Sequence, residues 1–185
     1  MKKLLYLSAF VASAFFSAHT QAQDQAPPSV DRILHAATEK AVAEKKKVFV
    51  VFTASWCYWC KKMDSILRSP DVAPVFLKKY QLEKIVVRET PNNKHLENPG
   101  GVELLESAGG ADKGIPYWLV LDEKGKIITD SRLRKDGVPD GNTGCPATRE
   151  EIDYFISVLR STSDLKEEEL SVIANAFKKI RSLSY

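Results

Sequence analysis

Trp56-Cys57-Tyr58-Trp59-Cys60 constrains this chain more than any other segment. An apolar run, Val48-Phe49-Val50-Val51-Phe52, precedes it, and Lys61 to Arg68 follows with helical spacing. The run is rich in β-branched and aromatic residues and does not alternate, as in a strand buried on both faces. The cysteines therefore fall at the mouth of a strand-to-helix turn. There the first thiol meets the unsatisfied amides of a helix N-terminus, which favour a thiolate.

The N-terminal residues 1–22 read as a leader rather than as part of the fold. Lys2 and Lys3 are followed by a 13-residue apolar stretch, Leu4 to Phe16, and then by Thr20-Gln21-Ala22. This is the pattern of a secretory signal peptide cleaved near Ala22, which predicts export to the periplasm or secretion. The apolar stretch is shorter than the ~20 residues a bilayer span needs, so no membrane span is expected in the mature chain. No Cys lies near the cut, which argues against a lipoprotein. Removing 22 of 185 residues leaves 163, enough for one domain with a sizeable core. Losing Lys2 and Lys3 reduces the net charge from +3 to +1. Nothing in that balance points to nucleic acid or an acidic membrane. Three cysteines are too few for a disulfide scaffold and suit a working pair plus one extra.

Residues 23–29 read as a linker ending in Pro27-Pro28-Ser29, and Ser29 is placed to cap a helix from Val30 to Lys46. Strands are predicted at Lys47 to Thr53, Leu82 to Val87 and Tyr117 to Leu121, with a hairpin return at Lys126 to Thr129. Helices are predicted at Cys57 to Arg68, Asp71 to Tyr80 and Val102 to Ala108. Asp136 to Pro146 reads as a Gly/Pro loop. Thr148-Arg149-Glu150-Glu151 opens a helix with a capping box. Asp164 to Ser182 reads as a last helix, with Leu170, Ile173, Phe177 and Ile180 on one face. That single stripe favours packing on the domain over docking a partner. Strands alternating with helices and ending in a hairpin suggest a mixed sheet covered on both faces.

The Cys-x-x-Cys pair has several chemical readings. A c-type haem site needs His after the second Cys, and residue 61 is Lys. A structural zinc site needs further ligands, and Cys145, His35 and His95 are not closely spaced. Copper held by the two thiols with a distant His, or an inert structural disulfide, stays open. A redox pair needs a strand, a turn and a helix in that order, which the chain supplies. In that reading Cys57 is the exposed nucleophile and Cys60 the shielded resolving thiol, and no organic cofactor or metal is required.

The motif Trp56-Cys57-Tyr58-Trp59-Cys60-Lys61, with Gly114-Ile115-Pro116 before the third strand, resembles the thioredoxin-like family over roughly residues 30 to 160. The resemblance implies an α/β fold, a three-layer α/β/α sandwich with a mixed central sheet, here with an extra C-terminal helix at 164–182. The domain would span 30–185. It also implies a cis Ile115–Pro116 bond beside the cysteines, with Ile115 backbone and the aromatic rim of Trp56, Tyr58 and Trp59 meeting substrate. Packing alone is the competing role for those rings.

The chain departs from ordinary thioredoxin. Its dipeptide is Tyr58-Trp59 rather than Gly-Pro, Val51 stands where the family has a buried Asp, and Ser65 where it has a helix-kinking Pro. Glu89 is a conceivable substitute for the Asp, with a surface carboxylate as the simpler expectation. Ser69-Pro70-Asp71-Val72 is similar to exported members, including the soluble C-terminal domain of the transmembrane thiol:disulfide interchange protein. No cation lies between the cysteines, which leans towards reduction of substrate disulfides. Protein thiols and disulfides are the expected substrates, with an upstream redox partner. Cys145, in Thr143-Gly144-Cys145-Pro146, is expected near the substrate face. It is either an accessory thiol or a buried unreactive one. The rival for the whole chain is a non-enzymatic metal carrier or protein-binding module on the same fold.

Overall fold

The structure, a computed structural model, describes residues 26–135 and 137–182. The leader over 1–22 and the first linker residues lie outside them. Ser29 caps α1 (Val30–Glu44) by accepting from the Arg32 amide, and Lys45, at φ 55, ends it in the left-handed region. Then follow β1 (Lys47–Thr53), α2 (Tyr58–Leu67), a single turn α3 (Ala73–Phe76) and β2 (Tyr80–Val86). A 3-10 segment (Pro91–Leu96), α4 (Gly101–Leu105) and one π turn (Glu106–Gly110) lead to β3 (Tyr117–Leu121) and β4 (Ile127–Asp130). A second hairpin, β5 (Arg132–Lys135) and β6 (Val138–Asn142), precedes α5 (Arg149–Thr162) and α6 (Glu167–Ser182).

The main sheet has the order β2-β1-β3-β4. β1 runs parallel to β2 and antiparallel to β3, and β3 antiparallel to β4. The two-residue period of the strands splits the core. Val48, Val50 and Phe52 with Tyr117, Leu119 and Leu121 face α1 and α4. Phe49 and Val51 with Trp118 and Val120 face α2, α3, α5 and α6. This is the expected three-layer sandwich with a mixed sheet. Phe49 organises the second layer, with ring centroids of Phe76, Trp118 and Phe155 at 5.2, 5.4 and 6.0 Å.

The last helix packs on the domain as its stripe implies: Leu170, Ile173, Phe177 and Ile180 are all buried, and Phe177 lies 5.2 Å from Phe155. Thr148 makes the capping box with Glu151. Two expectations are corrected. The helix expected from Asp71 to Tyr80 is only Ala73–Phe76, because Tyr80 opens β2, stacks on Phe76 at 4.8 Å and bonds Thr162 at 2.7 Å. The loop expected from Asp136 to Pro146 contains β6, paired with β5. Its polar, Gly- and Pro-bearing residues present no apolar face, so the pattern hides a strand held by backbone pairing and by Thr143, whose amide and hydroxyl both donate to Ser131 at 2.8 Å.

Candidate active site

β1 ends at Thr53, and the chain turns through Ala54-Ser55-Trp56 so that Cys57 becomes the N-cap of α2. Its Sγ accepts from the Cys60 amide at 3.2 Å. Cys57 and Cys60 are closed as a disulfide, with Cα atoms 5.3 Å apart. A helix N-terminus and one amide aimed at this sulfur stabilise the thiolate that reduction would release, by up to about 2 kcal/mol.

The expectation of an exposed Cys57 is corrected for the oxidised form. Cys57 and Cys60 are each 3% exposed, packed with Ala54 and Ile115. In the closed disulfide Cys57 Sγ lies 3.6 Å from the Ile115 carbonyl oxygen and Cys60 Sγ 4.0 Å from the Phe52 carbonyl. The Ile115–Pro116 bond is cis.

Around the pair the aromatic residues stand outward. Trp56, Tyr58 and Trp59 are 53%, 61% and 43% exposed. Tyr58 and Trp59 meet edge to face at 5.6 Å, Lys62 sits 5.5 Å over the Tyr58 ring, and the Trp56 indole donates to the Arg88 carbonyl at 2.9 Å. A groove of about 370 Å³ runs along Trp59, Ile115, Pro116, Gly144, Cys145 and Thr148. Gly144, beside the Pro116 carbonyl, holds φ 51, a left-handed backbone that any side chain would strain. The groove thus joins the cis-proline turn to one face of the aromatic rim.

Cys145 lines this groove yet is buried, and burial, with the Glu151 carboxylate adding to it, pushes its thiol up to about 12. That environment keeps it protonated and a poor nucleophile. On the other side of the disulfide a cavity of about 310 Å³ is lined by Val51, Ser55, Cys60, Asp64, Leu82 and Glu89 among others. Glu89 is not a surface carboxylate: it is 5% exposed, and Ser55 donates to it from both its amide and its hydroxyl.

Sequence reasoning missed two residues at the site. Arg88, two residues past β2, donates to the carbonyls of Gly110, Ala111 and Lys113. Asn142, at the end of β6, donates to those of Gly114 and Pro116 at 2.7 and 3.0 Å. Their partners are backbone atoms more than 20 positions away, so no spacing in the chain marks them.

A family model described as thioredoxin-like matches residues 31–122. The chain belongs to the thioredoxin-like family. Its cysteine pair, at the head of α2 beside a cis-proline, is that of a thiol:disulfide oxidoreductase of this family. Among solved structures it is similar to a disulphide isomerase from Xylella fastidiosa Temecula1, at 22% identity and a TM-score of 0.44, covering 82% of this chain and 87% of that one. It is also similar to the oxidised C-terminal domain of DsbD from Neisseria meningitidis, at 20% identity and a TM-score of 0.43, covering 75% and 100%. A DsbH oxidoreductase matches at 20% identity and a TM-score of 0.42, covering 80% and 94%. No curated protein matches the chain. Among the described residues no group of three or more His, Cys, Asp or Glu side chains is placed to hold a metal ion. Among the same residues no helix is long and apolar enough to cross a membrane.

Proposed function

We propose that this thioredoxin-like protein is exported and reduces disulfides in extended protein segments. Support for export comes from the leader over residues 1–22, and for the substrate class from the groove along Trp59, Ile115 and Pro116, whose Ile115 carbonyl lies 3.6 Å from Cys57 Sγ. The observation that carries the reading is Cys57 as N-cap of α2 with its sulfur against Ile115. A substrate strand laid along residues 114–116 brings its disulfide beside Cys57, the cysteine whose sulfur lies against Ile115, and the aromatic rim flanks it.

The reaction balances as follows. Reduced Cys57 thiolate attacks one substrate sulfur, forming a mixed disulfide and expelling the other substrate sulfur as a thiolate that takes a proton. Cys60, deprotonated, attacks Cys57, so the Cys57–Cys60 bond forms and the second substrate thiol leaves. Substrate gains two electrons and two protons, and the enzyme loses them. A thiol-bearing upstream partner must then restore the dithiol by the reverse exchange.

Reduction, rather than oxidation, is supported by Tyr58 and Trp59 between the cysteines, which bring no cation to stabilise the reduced pair. Cys60→Ser incubated with a disulfide-bonded peptide is expected to accumulate a mixed disulfide on Cys57, read by intact mass, and Cys57→Ser to accumulate none. A Cys57/Cys60 reduction potential near −270 mV against a glutathione buffer supports reduction, whereas one near −120 mV reverses the direction. Tight metal binding without exchange would favour the carrier alternative. An N-terminus beginning just after Ala22 on protein recovered outside the cytoplasm tests export.

A further inference from the structure

The turn that presents Ile115 to Cys57 has few backbone partners of its own. It runs from Gly110 to Pro116, and among the described residues one internal bond, from the Lys113 amide to the Gly110 carbonyl, spans it. Two side chains from separate parts of the fold hold the rest. Arg88 spreads its guanidinium over the carbonyls of Gly110, Ala111 and Lys113, with Nη2 at 2.9 and 2.7 Å from the first two. Asn142 bridges the carbonyls of Gly114 and Pro116. Between Asn142's two acceptors lies Ile115, whose carbonyl turns to Cys57 Sγ instead.

Each anchor is itself fixed. Arg88 holds a left-handed backbone, φ 54, and its own carbonyl accepts from the indole of Trp56, the residue before Cys57. A non-glycine residue in that region is uncommon and persists where its surroundings over-determine it. Asn142 Oδ1 accepts from Ser131 Oγ at 2.6 Å and from the Gly144 amide at 3.1 Å, which fixes its amide group facing the turn. Arg88 therefore ties the cysteine turn and the proline turn together, and Asn142 ties the proline turn to the β5–β6 hairpin.

We propose that Arg88 and Asn142 are positioning residues for disulfide exchange with extended substrates. They hold the 110–116 carbonyls from both flanks so that the Ile115 backbone stays in register with Cys57. The inference rests on the reading that a substrate strand lies on residues 114–116. A small disulfide reagent needs no such strand, so it reaches Cys57 without their help. Loss of register by an ångström costs a bound peptide up to about a hundredfold.

The test compares reduction of a disulfide-bonded extended peptide with that of bis(2-hydroxyethyl) disulfide. The proteins are wild type, Arg88→Ala, Arg88→Lys and Asn142→Asp. Asn142→Asp keeps the acceptor for Ser131 and Gly144 and replaces the two donations to the turn with a carboxylate oxygen that repels the Gly114 and Pro116 carbonyls. Arg88→Ala and Asn142→Asp are expected to lower kcat/KM for the peptide about tenfold, mainly through KM, with the small disulfide changed less than about twofold. Arg88→Lys restores part of the loss, because an ammonium reaches fewer of the carbonyls than the fork does. A general folding defect would move both substrates together. Should Arg88→Ala not fold, Arg88→Lys and Asn142→Asp decide the outcome. An unchanged peptide-to-reagent ratio in folded variants overturns the proposal while leaving the proposed function standing. Wild type that reduces the reagent but not the peptide overturns the proposed function, and this proposal with it.

Discussion

Both carboxylate oxygens of Glu89 are held by Ser55, one by its amide and one by its hydroxyl at 2.7 Å. The pair stitches the turn before Cys57 to the segment after β2. It also lines the cavity behind Cys60. Position 51, where the family resemblance implied an acid, carries a valine in the wall of the same cavity.

Hydrogen bonds to a charged acceptor contribute about 1.5–3 kcal/mol each way they are broken. Glu89→Gln turns one donor of Ser55 against an amide group and is expected to destabilise the oxidised protein by about 1–3 kcal/mol. Ser55→Ala removes the hydroxyl bond to Glu89 and a longer one that the hydroxyl accepts from Asn93, keeps the amide bond, and should cost less. The double variant should cost less than the two singles together, since they share one contact. Urea midpoints of the four proteins check this, and strict additivity would mean that the contact contributes nothing.

Much of the fold was legible because strand composition and capping chemistry are local signals. Val48 to Phe52, Tyr117 to Leu121 and the Thr148–Glu151 box announced themselves, and so did the stripe Leu170, Ile173, Phe177, Ile180. The cysteine turn was legible for the same reason. The β5–β6 hairpin was not: its strands are paired by backbone groups that every residue carries, and no alternating apolar face marks them. Nor was the burial of Glu89 or the clamp by Arg88 and Asn142 legible. Those depend on which backbone atoms the sheet topology brings within reach, as when β2 delivers residue 88 to the 110–113 turn. The burial of Cys57 in the closed pair rests on Ile115, 58 positions on.

Trp59 is the exposed ring that lines the groove with Ile115 and Pro116. It spans little of the core, so truncation should leave stability within about 0.5 kcal/mol. An aromatic anchor at a contact commonly contributes 1–2 kcal/mol to binding. Trp59→Ala is therefore expected to raise KM for a peptide disulfide about five- to thirtyfold at nearly unchanged thermal midpoint. Steady-state kinetics beside a melting curve check it. An unchanged KM assigns the ring to packing with Tyr58 instead.

Phe177 joins α6 to the domain through Phe155 and is fully buried. Phe177→Ala leaves a cavity between α5, α6 and the sheet and should cost about 3–5 kcal/mol. The Cys57–Cys60 site lies on another element, so the reduction potential of the folded fraction should stay where it is in wild type. Equilibrium denaturation and a glutathione titration separate the two effects. A stability loss below about 1 kcal/mol would show that α6 is an appendage rather than part of the core.

Cys145 gives the stability of the protein a pH dependence of definite sign. Burial holds its thiol near 12 in the folded chain against an ordinary 9.0. Below about pH 9 the thiol is protonated in both states, and its contribution is fully present. Between about 9 and 12 the unfolded chain gives up this proton while the folded chain keeps it. The unfolded state then binds fewer protons, so unfolding stability falls as pH rises. Tyr117, also pushed up to about 12 by burial and by Asp130, adds a decline of the same sign from about pH 10. Cys145→Ser removes the first component and leaves the second. With the Cys57–Cys60 disulfide kept closed, urea midpoints of wild type are expected to fall more steeply than those of Cys145→Ser between pH 8.5 and 10. The same burial predicts that iodoacetamide at pH 8 leaves Cys145 unlabelled in the folded oxidised protein and labels it in urea. Equal pH slopes together with ready labelling of the native chain would place this thiol in the solvent-open part of the groove, free for exchange.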